Sequence, residues 1–296
     1  MASRREKLKT GVKIGLALIV VATVSACGAR DDGEPRRGLF GPRENTTPLE
    51  DLGPQEIFEL AEFQLERNDD PEEAARLFNE VERLYPYSEW AKRSLIMAAF
   101  SYHSDGDYEA SRLAAQRYID FYPADEDAAY AQYLLALSYY DQIDQVGRDQ
   151  GITFQALQAL RAVIEFYPDS EYASSAALKF DLAFDHLAGK EMEIGRYYLR
   201  REHYTAAISR FRVVVEEFQT TTQTPEALLR LVEAYLSLGL VEEAQTAGAI
   251  LGYNFQSSPF YDDAFNQLTG QDLAPEATGE SWLRDVWRLT VRGDWL

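Results

Sequence analysis

Three segments of the chain end alike, and this repetition constrains the fold more than any other feature. The endings are Leu84-Tyr85-Pro86, Phe121-Tyr122-Pro123 and Phe166-Tyr167-Pro168. Two of them also continue alike, Pro86-Tyr87-Ser88-Glu89-Trp90-Ala91 matching Pro168-Asp169-Ser170-Glu171-Tyr172-Ala173. In each, a proline stops one helix and a serine is placed to cap the next. The prolines are 37 and 45 residues apart, within the range of repeats built from helix pairs. A single helix pair cannot bury its own apolar face, so repetition at this period predicts a stacked array.

The tetratricopeptide pattern can be laid on the chain position by position. It asks for small and bulky residues on the first helix of a pair, then an alanine, a bulky residue four later and a proline on the second. The first repeat is marked by Ala74, Phe78 and Pro86. The second has Leu95, Ala99 and Tyr102, a turn at Gly106-Asp107-Tyr108, then Ser111, Ala115, Tyr118 and Pro123. Ala156, Leu160 and Pro168 mark the third; Gly195, Tyr198, Ala207 and Phe211 mark the fourth, with Gln219 in place of proline. The last offers Leu228, Leu231, Tyr235 and Gly239, then Ala244, Gly248 and Leu251. The second-helix anchors at 74, 111, 156, 207 and 244 are spaced 37, 45, 51 and 37, so the third and fourth repeats carry insertions. Small residues such as Ala99, Gly195 and Ala207 let backbones approach, while Phe78, Tyr102 and Phe211 fill the grooves. The expected fold is all-α, a right-handed α-solenoid of about five tetratricopeptide-like helix pairs from Gly53 to Gly270. The bland alternative is a generic helical bundle.

The N-terminus reads as an address. Arg4 to Lys13 form a basic segment, and Ile14 to Val24 an apolar one of 11 residues. As a helix it reaches roughly 16 Å, too short for roughly 30 Å of hydrocarbon, so it is read as a signal peptide over residues 1–26. Val24-Ser25-Ala26-Cys27-Gly28 resembles the bacterial lipobox. That resemblance implies cleavage between Ala26 and Cys27, and a diacylglycerol and N-acyl lipid on Cys27. Several acyl chains, at about 0.8 kcal/mol per buried CH₂, anchor a protein without a spanning helix. Gly28 rather than Asp after the cysteine favours the outer membrane under the enteric sorting rule. The alternative is an ordinary signal peptide with a chance cysteine. Residues 27–52 shift to Gly, Pro, Arg, Asp and Glu and read as a flexible tether whose Arg36, Arg37 and Arg43 are solvated or touch headgroups.

Composition removes most other functions. Of 296 residues, 49 are Asp or Glu and 29 Lys or Arg. Residues 1–26 hold five bases and one acid, so their loss takes the net charge from −20 to −24. Nothing in that balance displaces counterions from nucleic acid. Cys27 is the single cysteine, which leaves no internal disulfide, no cysteine zinc site and no CxxC pair. His103, His186 and His203 occur singly, without a metal-binding or nucleophile motif, and are read as surface or packing residues. Glu72-Glu73 and Glu242-Glu243 open second helices, where a carboxylate meets the positive end of the helix dipole, so paired-carboxylate catalysis is not needed to explain them. No catalytic residue, metal or cofactor is expected.

The lipobox, the repeat order, the insertion between Tyr140 and Thr153, the segment Glu193-Ile194-Gly195-Arg196-Tyr197-Tyr198 and the following Tyr204-Thr205-Ala206-Ala207 together resemble the BamD family of outer membrane protein assembly factors. The resemblance covers residues 53 to 270. It implies a scaffold in the β-barrel assembly machine, lipid-anchored to the outer membrane and facing the periplasm. Its implied partners are the POTRA domains of the central barrel protein, other assembly lipoproteins and nascent, unfolded outer membrane proteins. It assigns the groove of the first repeats, here Ile57–Glu66 and Arg93–Tyr102, to an aromatic-rich peptide. It also assigns the partner surface to the later repeats. There Arg210 falls off the inward stripe Ala207, Ile208, Phe211, Val214, Val215 and Phe218, so its guanidinium is expected to be free for a partner's carboxylate. The competing function is a periplasmic lipoprotein serving the cell wall or pilus secretin assembly.

The tail, residues 271–296, lies outside the family pattern. Trp282, Trp287 and Trp295 fall in the last 15 residues. Trp282, Val286 and Leu289 recur at helical spacing, with Arg284, Arg288 and Arg292 on another face. This is a short basic amphipathic helix that docks on membrane, on a partner or back on the acidic array. Tryptophan and arginine favour a protein interface, and about 12 residues are marginal for an isolated helix, so ordering only on a partner is expected.

Overall fold

A computed structural model describes residues 48–143, 150–277 and 281–291, with side chains described to Arg288. Ala26, Cys27, Arg36, Arg37, Arg43, Arg292 and Trp295 lie outside the described residues, as do the signal peptide and nearly all of the tether. Twelve α-helices account for the regular structure of the described part, after a short 3-10 turn at Leu49–Asp51. The first ten form five pairs: α1 (Pro54–Arg67) with α2 (Pro71–Leu84), α3 (Glu89–Asp105) with α4 (Tyr108–Phe121), and α5 (Ala128–Tyr140) with α6 (Gly151–Phe166). Then come α7 (Glu171–Arg200) with α8 (Tyr204–Glu217), and α9 (Thr224–Leu238) with α10 (Val241–Asn254). Each helix packs on the next, and each first helix also touches the first helix of the following pair. This is the right-handed solenoid expected from the repeats. After it come α11 (Pro259–Thr269), placed beside α9 as the first helix of a sixth pair, and α12 (Trp282–Val291) on α10.

The repeat register holds at its anchors. Ala74, Ser111, Ala156, Ala207 and Ala244 are all fully buried. Gly195 shows why small residues are needed: a Cβ placed there would lie 2.4 Å from the Phe211 ring. Backbone contact at α7 and α8 is therefore possible only without a side chain on that face.

The turns between pairs repeat five times, more often than the prolines reveal. Tyr85, Tyr122, Tyr167, Phe218 and Phe255 end the second helices with φ between −121° and −136°. Each carbonyl there accepts from the N–H three residues on, at Ser88, Asp125, Ser170, Thr221 and Ser258. Two of these turns have glutamine, Gln219 and Gln256, where the others have proline. The recurring element is thus an aromatic at the helix end followed by a polar residue at the next N-terminus. Ser88 caps α3 by accepting from Ala91 N at 3.1 Å, as expected. Ser170 does not cap α7; its hydroxyl turns back and donates to Tyr167 O at 2.8 Å.

The turns within pairs need a left-handed residue to reverse the chain. Gly106 (φ 85°) and Gly239 (φ 72°) supply it in the second and fifth pairs. Asp69 (φ 53°) and Glu202 (φ 58°) supply it in the first and fourth, against the steric preference of a Cβ. The two insertions take different forms. In the third pair it is the connection 141–150 between α5 and α6; in the fourth it is α7 itself, 30 residues against 13 to 17 in the other four first helices. At 1.5 Å per residue α7 is about 45 Å long. Its Ala176 packs in the cluster of α6 with Leu160 and Val163, whereas Ala183, Leu187 and Met192 pack with α8 and α9. One helix therefore belongs to two stretches of core.

Candidate functional site

The middle of α7, where those two stretches meet, carries exposed apolar side chains beside open hollows. Leu178 and Leu182, one turn apart, are 62% and 53% exposed. On one side a hollow of about 460 Å³ is lined by Leu178, Asp181, Leu182, Phe184, Asp185 and the turn 220–222. On the other, Leu182 shares a hollow of about 240 Å³ with Tyr140, Ile143, Ala183 and His186. A third, of about 280 Å³, opens between α6 and α8 over Phe180, Phe184 and Phe218. The turn is pinned to α7 by Asp185, whose Oδ1 accepts from Thr222 N (2.8 Å) and Oγ1 (2.6 Å) and whose Oδ2 accepts from Gln223 Nε2 (3.0 Å). His186 Nε2 is buried and has no hydrogen-bond partner among the described residues. Sequence reasoning missed this region because the repeat register places no marker between Ser170 and Gly195; the available signal was Leu178 and Leu182 sharing a helical face with Asp181 and Asp185.

In the first repeats, the two segments assigned to a peptide groove divide between core and surface. Ile57, Phe58, Ala61, Leu95, Ile96, Ala98 and Ala99 are buried, while Phe63 is 52% exposed. The Arg93 guanidinium lies 4.9 Å from the Phe58 ring centre and 5.0 Å from that of Trp90, covering an aromatic pair at the surface. Tyr102 Oη accepts from Asn79 Nδ2 at 2.6 Å, tying α3 to α2. Next to them, Asp125 in the turn after Pro123 gathers the Lys92 ammonium, the Tyr118 hydroxyl (2.6 Å) and Asp127 N (3.2 Å). Hydrogen bonding from Lys92, then from Tyr118, holds its carboxyl below the usual carboxylate range.

Arg210 is not free. Its Nη1 donates to Glu191 Oε2 on α7 at 3.1 Å, with the arginine side chain 43% exposed. The inward stripe of α8 is as expected: Ala207, Phe211, Val214, Val215 and Phe218 are buried and Ile208 is half-buried. The same helix that points Arg210 outward also places it beside the lengthened α7, and that neighbour supplied a carboxylate within the chain.

The tail helix is folded onto the array rather than left to order on a partner. Leu283 and Val286 are buried against the last pair. Trp282 Nε1 donates to Tyr235 Oη at 3.0 Å, and the Arg212 guanidinium stacks over the Trp282 ring at 4.8 Å. Trp287 meets Tyr253 edge-on at 5.7 Å. Leu283, absent from the expected apolar stripe, is its most buried member. Arg284 and Arg288 are exposed and, with Ala277 and Trp287, line a polar hollow of about 490 Å³.

The remaining histidines take structural places. His103 Nε2 lies 3.0 Å from Asp141 Oδ2, and His203 precedes α8 with its ring against Tyr198. Among the described residues no group of three or more His, Cys, Asp or Glu side chains is placed to hold a metal, and no helix is long and apolar enough to cross a membrane.

The profile of the outer membrane lipoprotein family YfiO matches residues 50–250. The outer membrane protein assembly factor BamD of Caulobacter vibrioides is 43% identical over 259 residues, 88% of this chain and 81% of that protein. BamD of Rickettsia prowazekii is 42% identical over 65% of this chain and 76% of that one. BamD of Neisseria meningitidis, serogroup A, is 29% identical over 65% and 76%. With the helix-pair array, its register and these relatives together, the chain belongs to the BamD family of outer membrane protein assembly factors.

Proposed function

We propose that the protein is a lipid-anchored scaffold of the β-barrel assembly machinery, tethered to the outer membrane through acylated Cys27 and facing the periplasm. Its proposed partners are the POTRA domains of the central barrel protein, other assembly lipoproteins and unfolded outer membrane proteins, and its role is to hold them together rather than to catalyse. The observation that supports this reading best is the architecture: a solenoid offers a long surface assembled from many helices, suited to several partners at once. The groove of the first repeats, bordered by Phe63 and Arg93, is assigned to unfolded substrates. The later repeats, with Arg210, the exposed face of α12 (Arg284, Arg288) and the half-buried Trp282 and Trp287 at its edges, are assigned to folded partners. Arg210 serves there by exchanging or sharing its Glu191 contact with a partner's carboxylate.

Purification from detergent-solubilised membranes tests the reading. Recovery of a POTRA-bearing barrel protein with the wild-type chain is expected; recovery of muropeptides or secretin subunits instead overturns it. Charge reversal at Arg210 is expected to weaken POTRA binding, with circular dichroism checking that the fold survives. Mass spectrometry of the mature N-terminus is expected to find an acylated Cys27, and Cys27→Ser to leave the protein unprocessed or soluble in the periplasm. Deleting residues 275–296 is expected to weaken retention of partners, and it also uncovers the Tyr235 and Tyr253 surface of the last pair.

A further inference from the structure

The hollows beside Leu182 have the features of a binding surface that the array itself leaves unfilled. Two leucines one turn apart are more than half exposed on a helix that packs elsewhere on α5, α6, α8 and α9. The hollows flank Leu182 on opposite sides, so one occupant crossing α7 can fill both. Their openness to solvent suits a chain lying across them, because alternate side chains of an extended segment point the same way and enter successive depressions. His186 lines the smaller hollow beside Leu182 and Ala183. Charge selects further. The larger hollow is lined by Asp181 and Asp185 and by no cation. Asp185 accepts hydrogen bonds from Thr222 and Gln223, and none of those three bonds reaches the neighbouring Asp181 carboxyl. The nearby Lys179 ammonium is engaged over the Tyr140 ring at 5.1 Å, on the side of the smaller hollow.

We propose that this α7 junction is a docking site for an extended polypeptide segment that presents aliphatic or aromatic side chains to Leu178 and Leu182 and a basic side chain to Asp181. The site lies three helix pairs on from the groove of the first repeats and uses none of its residues. Its specificity is by sign of charge: a segment with acidic residues in the same places meets two carboxylates and is repelled.

The test uses the full-length chain in detergent and two fluorescein-labelled peptides of alternating leucine and serine, one carrying two lysines and its twin two glutamates, read by fluorescence anisotropy. The lysine peptide is expected to bind and the glutamate twin to bind at least about tenfold more weakly. Leu182→Ser, a change at an exposed position, is expected to weaken the lysine peptide about tenfold. Asp181→Asn is expected to narrow the difference between the twins and to reduce the dependence of binding on salt. Leu113→Ser, at an exposed position on α4 outside both sites, is expected to leave both affinities unchanged, and Phe63→Ser reports whether the peptides use the first-repeat groove instead. Equal binding of the twins, no effect of Leu182→Ser, or loss of binding through Phe63→Ser alone overturns the proposal. The last result leaves the scaffold reading and its first-repeat groove standing. Thermal melts of each variant confirm that the array is folded when binding is read.

Discussion

The first two helix pairs and the α7 junction are built from the same residue types and both leave apolar side chains in water, Phe63, Leu113 and Phe121 in one and Leu178 and Leu182 in the other, yet their helices meet differently. In α1 to α4 the anchors Ala74 and Ser111 are 37 residues apart, the helices are 14 to 17 residues long, and each neighbour covers the last. Between Ala156 and Ala207 the spacing is 51, and the surplus lengthens α7 instead of forming a loop. Additional helical turns have an apolar face that no matched neighbour reaches, so Leu178 and Leu182 stay in water beside open hollows. Repeat length thus shapes the hollows beside the exposed leucines of α7, and anchor size decides how closely neighbouring helices approach.

The sharpest way to break that comparison is at the tight end of α7. Gly195→Val puts a Cβ 2.4 Å from the ring of Phe211, which is itself fully buried. Overpacking of this kind is expected to cost about 3 kcal/mol, or a fall in Tm of roughly 6–12 °C for an array this size. The same change at Leu182, a few turns earlier on the same helix, is expected to leave Tm nearly unchanged. A scanning-calorimetry series across α7 should therefore show a steep rise in cost from the exposed middle to the packed end.

Ala207→Leu asks whether the register of α8 is right. Ala207 is fully buried within the core shared by α7, α8 and α9. Three further heavy atoms there are expected to cost about 2 kcal/mol. A melting temperature unchanged by the substitution would mean that Ala207 is not an anchor.

How much of this was legible beforehand follows from what each feature depends on. The anchors and Gly106 could be read, because small residues and a turn glycine are local requirements with a local signature. The five-fold turn could be read only where proline accompanies the aromatic; Phe218 and Phe255 make the same turn without it. The pairing of Arg210 with Glu191, and the burial of Leu283 on α10, depend on which helix lies alongside. Nineteen or more residues of separation hide such contacts from a reading of periodicity. His186 looked bland for the same reason, since its isolation is a property of the hollow it borders.

Within the regular region, the turn at Asp125 offers a test by pH. Its carboxyl is held low by the Lys92 ammonium and the Tyr118 hydroxyl. A carboxyl depressed in the folded state stabilises the fold above its unfolded value, about 4, and loses that contribution as pH falls through the folded one. Asp125→Asn is expected to cost about 1 kcal/mol at neutral pH, the pair being partly exposed. The gap between variant and wild type, followed by urea melts, should close progressively as pH falls below the unfolded value and through the lower folded one. A gap that persists at the acid end would assign the effect to packing and not to charge.

The smallest effect separates two ways of building one turn. Gly106 and Glu202 hold equivalent positions, both left-handed, at φ 85° and 58°. Nothing lies within 4 Å of a Cβ at Gly106, so Gly106→Ala is expected to cost only the backbone strain, about 1 kcal/mol. Glu202→Gly runs the other way: it relieves a similar strain while adding freedom to the unfolded chain, for a net gain of roughly 0.5 kcal/mol. The turn closes through His203 N donating to Tyr198 O at 3.0 Å, a backbone bond that neither residue type disturbs. The two substitutions should therefore move Tm in opposite directions by a degree or a few. If Glu202→Gly destabilises instead, the glutamate side chain contributes more than its backbone conformation costs, and the fourth turn is held by contacts rather than tolerated under strain.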